Sequence, residues 1–305
     1  MNQTSGNLPR PVTGLRTVLF GTLLCASLSL AAGCRDSGAG ADLGSGLDLT
    51  VVDLAQTPAK PVSIRDLNNL NGVKLQDRVK FSGVVVSPFM WTNANTKSGF
   101  CNFRLVLMYA DGSPSTLKDG MVLTVGLKTN ALATDMAKTA VCQDLGKTNA
   151  VVTAMDALKL GDLVEVEGRF ETSGTNGTGT RQVDVFAGKV TSMGPAPMMP
   201  TPIDADPATY ASTSTGVPPQ AFVDAQGVLV TFRTVKTNTR DTMYQDFYVN
   251  TGATGGTRIS TNYLRVIDRA YMSPMDGTSL TSLTGCVIGD FGGYVWPAKK
   301  ADIVP

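Results

Sequence analysis

The sequence predicts a mostly β chain in which two related antiparallel units follow a non-globular N-terminus. Three observations predict this. The 305 residues are 42% hydrophobic and 17% charged, which is too apolar for a chain disordered throughout. Glycine occurs 32 times, and short runs rich in Thr, Val and Asn alternate with turn residues, as is typical of brief strands. Two long stretches also share one order of strands and turns.

The N-terminus has the three-part form of a secretory leader. Residues 1–33 carry a basic start with Arg10 and Arg16, an apolar run at residues 18–30 and an exit of small residues. The apolar run is shorter than the roughly 20 residues that a membrane-spanning helix needs. We therefore expect residues 1–33 to be a signal peptide that directs export.

The segment LAAGC at residues 30–34 resembles the lipobox of bacterial lipoproteins, although Ala31 stands where that family most often has Leu. The resemblance implies cleavage before Cys34 and lipid on its thiol, so that the membrane is a partner through the lipid anchor. Arg35 is not the Asp that retains some lipoproteins at the inner membrane, which favours the outer membrane of the cell envelope. An ordinary signal peptide cleaved nearby is the alternative.

A flexible stalk is predicted after the lipobox. Residues 34–61 are rich in Gly, Ala, Asp and Ser, repeat the Asp-Leu pair three times and contain no aromatic residue. This composition resembles that of the stalks of myxobacterial lipoproteins, and it implies no activity.

Two β units follow the stalk, at residues 62–194 and 219–305, separated by a Pro-rich joint at residues 195–218. In the first unit Phe103 lies twenty residues after Gly83, and in the second Phe247 lies twenty residues after Gly227. Each unit ends with an alternating strand, a Gly-rich turn and a last strand. The sequence therefore predicts a duplication.

This order of strands and turns resembles the OB-fold, a five-stranded Greek-key barrel. The resemblance implies two small antiparallel OB-like barrels, with Gly168 and Gly285 at the corners where a small barrel kinks. A generic β-sandwich has the same alternation and is the alternative. The first unit is longer, and its residues 129–142 permit a short helix between the third and fourth strands.

The three cysteines after Cys34 are predicted to have structural roles. Cys101 and Cys142 share the first unit, and pairing is the default in an oxidising compartment, so we expect a disulfide between them. Cys286 lies in an apolar strand and is expected to be a buried hydrophobe.

Composition excludes several kinds of chemistry. The chain has no histidine, which removes imidazole bases and the commonest zinc ligand. We expect no enzyme activity, no cofactor and no metal. Glu165 and Glu167 are two residues apart, as expected on the polar side of a strand rather than of a catalytic pair. The pair Asp204 and Asp206 lacks the pattern of a calcium-binding loop. Removing Arg10 and Arg16 from the 26 basic residues leaves 24 against 25 acidic ones, a balance that disfavours nucleic acid as a partner.

The predicted function is that of a lipid-anchored binding module of the cell envelope, whose partner is an envelope protein or a glycan. The alternatives are single-stranded nucleic-acid or oligosaccharide binding by the barrels, or an accessory domain of an extracytoplasmic hydrolase or nuclease. The aromatic and basic residues that we predict for a ligand face are Trp91, Arg233, Tyr244, Arg265 and Trp296.

Overall fold

The structure is a computed structural model, and most residues of both predicted β units are among those that it describes. The described residues are 57–92, 100–128, 135–173, 179–213, 217–240, 246–250, 256–261, 264, 271–290 and 292–305, with only the backbone described at residues 91, 92, 100 and 135–140. The predicted signal peptide, Cys34 and most of the predicted stalk lie outside the described residues.

The first unit is a barrel closed by five strands. Its strands and helices are β1 (Lys60–Pro61), α1 (Ile64–Asn69), β2 (Arg78–Val85), β3 (Met90–Thr92), β4 (Phe100–Met108), β5 (Gly120–Lys128), α2 (Asp135–Thr148), α3 (Ala150–Asp156), β6 (Asp162–Thr172) and β7 (Arg181–Pro195). The ring runs β2-β4-β5-β7-β6 and closes where β6 pairs with β2. The pair β5–β7 is parallel, because an odd number of strands in a ring cannot all be antiparallel to their neighbours.

The second unit repeats this topology. Its elements are β8 (Ile203–Asp204), a 3-10 helix (Pro207–Tyr210), α4 (Gln220–Asp224), β9 (Leu229–Arg240), β10 (Phe247–Asn250), β11 (Thr257–Ile259), β12 (Ser279–Ile288), β13 (Tyr294–Trp296), a 3-10 helix (Lys300–Asp302) and β14 (Ile303–Val304). The ring runs β9-β10-β11-β13-β12, with β11 and β13 parallel. Both units thus have the OB-like barrel topology predicted from the sequence, and the sandwich alternative is wrong.

Strand register shows which positions of the two copies correspond. Val79 pairs with Gly168, and Val230 pairs with Gly285, so these two glycines are equivalent. A Cβ atom on Gly168 would lie 2.6 Å from the carbonyl oxygen of Asp184, and one on Gly285 would lie 2.8 Å from the backbone of Trp296. Each glycine therefore lets the last strand approach the fourth closely, at the predicted corner of the barrel.

Gly83 and Gly227 do not occupy equivalent positions in the two barrels, although each lies twenty residues before a phenylalanine. Gly83 lies inside β2 opposite Val164, whereas Gly227 precedes β9 in a turn with φ of +78°. Phe103 and Phe247 are nevertheless both buried in strands. The helix predicted at residues 129–142 is found as α2, which ends later than predicted, at Thr148.

Part of the predicted joint belongs to the second barrel. Within residues 195–218, β8 pairs in parallel with β9, as β1 does with β2 in the first barrel. Tyr210 is buried edge-on against Phe222, with the ring centroids 5.4 Å apart. The helices of the described part of the chain, the longest of 14 residues, include none that could span a bilayer.

The two barrels share an apolar interface. On β4, Leu105 and Leu107 point into the first barrel, while the alternate residues Val106 and Met108 join the core cluster of the second barrel. A Cβ atom on Gly120 would lie 2.2 Å from the carbonyl carbon of Gly227, so the backbones of the two barrels are in contact there. The outer face of β4 and β5 is therefore partly covered by the second barrel.

Candidate functional site

A pocket of about 390 Å³ opens on the first barrel, beside the helix pair α2 and α3. Its volume is within the range of about 300–1,000 Å³ that small-ligand sites occupy. Two phenylalanines and four polar side chains line it, together with Gly146 and Val152. These six are Phe89, Phe103, Gln143, Lys147, Thr153 and Asp156.

The floor of the pocket is aromatic. The rings of Phe89 and Phe103 are nearly parallel, at 10°, with centroids 6.0 Å apart. Gly146 of α2 lies directly over Phe103, because a Cβ atom there would be 2.7 Å from the ring carbon Cε1. Glycine at this position is therefore what allows the helix to approach the aromatic floor.

The predicted disulfide between Cys101 and Cys142 is confirmed, and it joins the two walls of this pocket. Cys101 lies on β4 two residues before Phe103, and Cys142 lies on α2 directly before Gln143. Both sulfur-bearing residues are fully buried. The covalent bond thus fixes the helix that carries the rim to the strand that carries the floor.

The second rim segment is positioned by a helix cap. The side chain of Asn149 accepts hydrogen bonds from the backbone N–H groups of Val151 and Val152, both at 3.0 Å, and so begins α3. Val152 is buried against the core while Thr153 and Asp156 of the same helix are exposed. The cap therefore sets which side of α3 faces the pocket.

The outer faces of the two barrels differ in accessibility. Arg104 on β4 forms an ion pair with Asp290, which lies in the loop between β12 and β13 of the second barrel. Burial disfavours the charge on Arg104, but attraction to Asp290 and Tyr294 and hydrogen bonds with both together outweigh it and raise the pKa of the guanidinium group. Burial likewise raises the pKa of Tyr294, beside this pair, to about 12. The second barrel thus closes the β4–β5 face of the first.

On the second barrel the described residues of the corresponding face are polar and partly exposed. Tyr248 on β10 is half-buried and stands between Asn238 of β9 and Arg258 of β11 in the strand register. Arg258 donates a 3.0 Å hydrogen bond to the buried carboxylate of Asp246, and its guanidinium lies 5.9 Å from the ring centroid of Tyr294. This row of residues forms a second candidate surface.

Of the residues predicted for a ligand face, the structure describes the side chains of Arg233 and Trp296, and these two do not share an exposed face. Arg233 is exposed and forms an ion pair with Asp204 at 2.9 Å. Trp296 is only 2% exposed and belongs to the core of the second barrel, so the prediction that it binds a ligand is wrong: its indole faces the barrel rather than solvent. Trp91 lies on β3 opposite Phe103, with only its backbone described. Tyr244 and Arg265 lie outside the described residues.

The carboxylates considered for chemistry are held in ion pairs. Lys80 contacts Glu165 at 2.9 Å and Glu167 at 3.8 Å across neighbouring strands, so these carboxylates pair with a cation rather than with each other. The part of the chain that the structure describes contains no group of three or more His, Cys, Asp or Glu residues placed to hold a metal ion. Cys286 is buried, and burial raises the pKa of its thiol.

Sequence reasoning missed the pocket as a site. The two phenylalanines are fourteen residues apart, and the rim residues follow Phe103 by forty positions or more. The predicted disulfide was the first of two available indications, because it brings residue 142 beside residue 101. Gly146 within a helix was the second, since glycine there disfavours a helix unless close packing requires it.

Comparisons with known proteins give weak structural similarity. No protein-family model and no curated protein matches the chain. Among solved structures, the wild-type single-stranded DNA-binding protein from Thermus aquaticus is 11% identical, with 73% of this chain and 91% of that chain covered and a TM-score of 0.23. A deletion mutant of the same protein is 13% identical, with 72% of this chain and 90% of that chain covered and a TM-score of 0.21. A small single-stranded DNA-binding protein from Streptomyces coelicolor is 16% identical, with 39% of this chain and 88% of that chain covered and a TM-score of 0.18. TM-scores this low carry no weight, so the barrel assignment rests on the strand pairing.

Proposed function

We propose that the chain is a binding protein of the bacterial cell envelope, anchored by lipid on Cys34, whose ligand site is the pocket on the first barrel. The observation that carries the proposal is the pocket itself, in which a disulfide joins an aromatic floor to a polar rim. Disulfides form and persist outside the cytoplasm, so the bond between Cys101 and Cys142 supports export.

The anchor is tested by fractionation and mass spectrometry. We expect the full chain expressed in a bacterial host to be cleaved before Cys34, to carry fatty acids and to fractionate with membranes. Two or three acyl chains hold a protein firmly, because each buried methylene contributes about 0.8 kcal/mol. A Cys34→Ala variant should be released from the membrane fraction. An unmodified N-terminus at Met1 in cytosolic protein would contradict the proposal.

The pocket is tested by thermal unfolding of the mature protein with the small-molecule fraction of an envelope extract. A ligand present at 100 times its dissociation constant stabilises the folded state by about 2.7 kcal/mol. We expect this fraction to raise the unfolding temperature of the wild type and of Phe186→Ala, which removes an exposed phenylalanine elsewhere on the first barrel. The gain should be lost in Phe89→Ala and reduced in Gln143→Ala, an exposed rim residue whose replacement leaves the fold intact.

A second candidate function is single-stranded nucleic-acid binding on the open face of the second barrel. It is favoured by Tyr248, an aromatic ring placed between Asn238 and Arg258, because bases stack on such rings beside cations. Fluorescence anisotropy with a labelled oligothymidylate over a range of salt concentrations tests it. Tyr248→Ala should weaken binding by about 1–3 kcal/mol, and absence of any salt-dependent binding by the wild type would exclude it.

A further inference from the structure

Two consecutive methionines of the joint, Met198 and Met199, pack on turns of the first barrel. The sulfur atom of Met199 lies 3.1 Å from where a Cβ atom on Gly161 would be, in the turn between α3 and β6. The methyl carbon of Met198 lies 2.9 Å from the corresponding position on Gly112, in the loop between β4 and β5. Both glycines have a positive φ, of +89° and +85°. The two thioether side chains therefore cover backbone turns that carry no side chain of their own.

These two methionines are nevertheless accessible to solvent. Met198 is 49% exposed and Met199 is 54% exposed. The backbone just before them is fixed, because the N–H group of Ala196 donates a 2.8 Å hydrogen bond to the carbonyl oxygen of Gly161. A small solute can therefore reach both side chains while they still hold the joint against the barrel.

We infer that Met198 and Met199 form an oxidation site, at which peroxides weaken the attachment of the joint to the first barrel. Oxidation to the sulfoxide turns a flexible apolar side chain into a polar one. The sulfoxide oxygen accepts hydrogen bonds and loses them where it is pressed against a glycine backbone, so the oxidised side chain turns towards water. The packing on Gly112 and Gly161 is then lost. This site lies outside the pocket and does not depend on its ligand.

The reaction needs a peroxide as its second reactant. A lone pair of the thioether sulfur attacks one oxygen of hydrogen peroxide, so that an S–O bond forms while the O–O bond breaks. The transferred oxygen gives its hydrogen to the departing hydroxide, which leaves as water. Sulfur loses two electrons and the peroxide gains them, so atoms and electrons balance.

Other methionines of the chain provide internal controls. Among the described side chains, five methionines are between 49% and 71% exposed, whereas three have no exposed surface. Met272 and Met275 of the second barrel are the most exposed, at 63% and 71%, so their oxidation removes less packing. The exposed set is Met193, Met198, Met199, Met272 and Met275, and the buried set is Met108, Met121 and Met155.

The test is treatment of the mature protein with hydrogen peroxide, followed by mass spectrometry of its peptides. Each sulfoxide adds about 16 Da. We expect Met198 and Met199 to be oxidised under conditions that leave Met108, Met121 and Met155 intact. Urea unfolding followed by circular dichroism should then give a midpoint lower by roughly 0.5 M for the oxidised protein.

Two leucine variants assign this loss to the joint. Leucine is close to methionine in volume and cannot form a sulfoxide, so each variant is compared with itself before and after peroxide. The Met198→Leu, Met199→Leu variant should keep its midpoint after peroxide. The Met272→Leu, Met275→Leu variant should lose as much as the wild type, because its joint is still oxidised.

Three results would overturn the inference. Met198 and Met199 might react no faster than the three buried methionines, or peroxide might leave the urea midpoint of the wild type unchanged. The third is an equal loss in the Met198→Leu, Met199→Leu variant and the wild type, which would place the sensitive group elsewhere in the chain.

Discussion

Reducing the disulfide between Cys101 and Cys142 should destabilise the first barrel by about 4 kcal/mol. The two cysteines are 41 residues apart. In the chain-entropy treatment, opening a loop of that size returns roughly 13 cal/mol/K to the unfolded chain, which is about 4 kcal/mol at 25 °C. This is a large share of the roughly 5–15 kcal/mol that stabilises a typical domain.

Urea unfolding measures this loss. With a urea dependence of about 2 kcal/mol per molar, a change of 4 kcal/mol moves the midpoint by about 2 M. The chain has two tryptophans, Trp91 on β3 and Trp296 on β13, so the measurement is made in a Trp296→Phe background, in which Trp91 is the only tryptophan. Comparing oxidised with reduced wild type isolates the covalent bond, because the buried sulfur atoms remain. A Cys101→Ala, Cys142→Ala variant should unfold at a lower urea concentration and be insensitive to reductant. Equal midpoints for oxidised and reduced wild type would refute the reasoning.

Three further predictions concern the contacts that close the structure. Arg104→Met leaves the carboxylate of Asp290 without its cation in a nearly buried site, and it should lower the free energy of unfolding by about 2–3 kcal/mol. Asp290→Asn should lower it by a similar amount. A double-mutant cycle measured by urea unfolding should show that the two losses do not add. Gly168→Ala and Gly285→Ala should each cost about 1–3 kcal/mol, because the new methyl group meets the backbone of the last strand; a loss under about 0.5 kcal/mol would contradict this close approach. Burial raises the pKa of Tyr294 from 10 to about 12, so between these pH values the folded state keeps a proton that the unfolded state loses. The contribution of Tyr294 to the free energy of unfolding is therefore fully present below pH 10 and is lost as the pH rises to 12. Urea unfolding at pH 9 and pH 11.5 should show the decline, and Tyr294→Phe should reduce it.

Local patterns were sufficient to predict the barrels. In β6 the alternation runs from Val164 to Phe170, with Val164, Val166 and Phe170 buried and Glu165, Glu167 and Arg169 partly exposed. Glycine at positions 168 and 285 indicated the corners correctly, because only a residue without a side chain fits where two strands nearly touch. These features depend on neighbours in the sequence or on one conformational requirement, and both can be seen in the sequence alone.

The surfaces could not be predicted in the same way. Trp296 is an aromatic residue in a strand, and a strand residue faces either the core or solvent according to register, which is set by pairing with distant strands. The ion pair of Arg104 with Asp290 joins residues nearly two hundred positions apart. The pocket likewise depends on how a helix docks on a barrel, which no local pattern specifies.

The two barrels differ in the face that each presents. On the first barrel the outward residues Val106, Met108 and Val122 are apolar and packed into the cluster of its partner barrel. On the second barrel the described part of the corresponding surface carries the exposed Asn238 and the half-buried Tyr248. The apolar face of β4 and β5 is used for packing between the barrels, whereas the pocket lies at the helical end of the first barrel. The first barrel thus combines a packing face with a pocket, and the second barrel presents polar side chains on the corresponding strands.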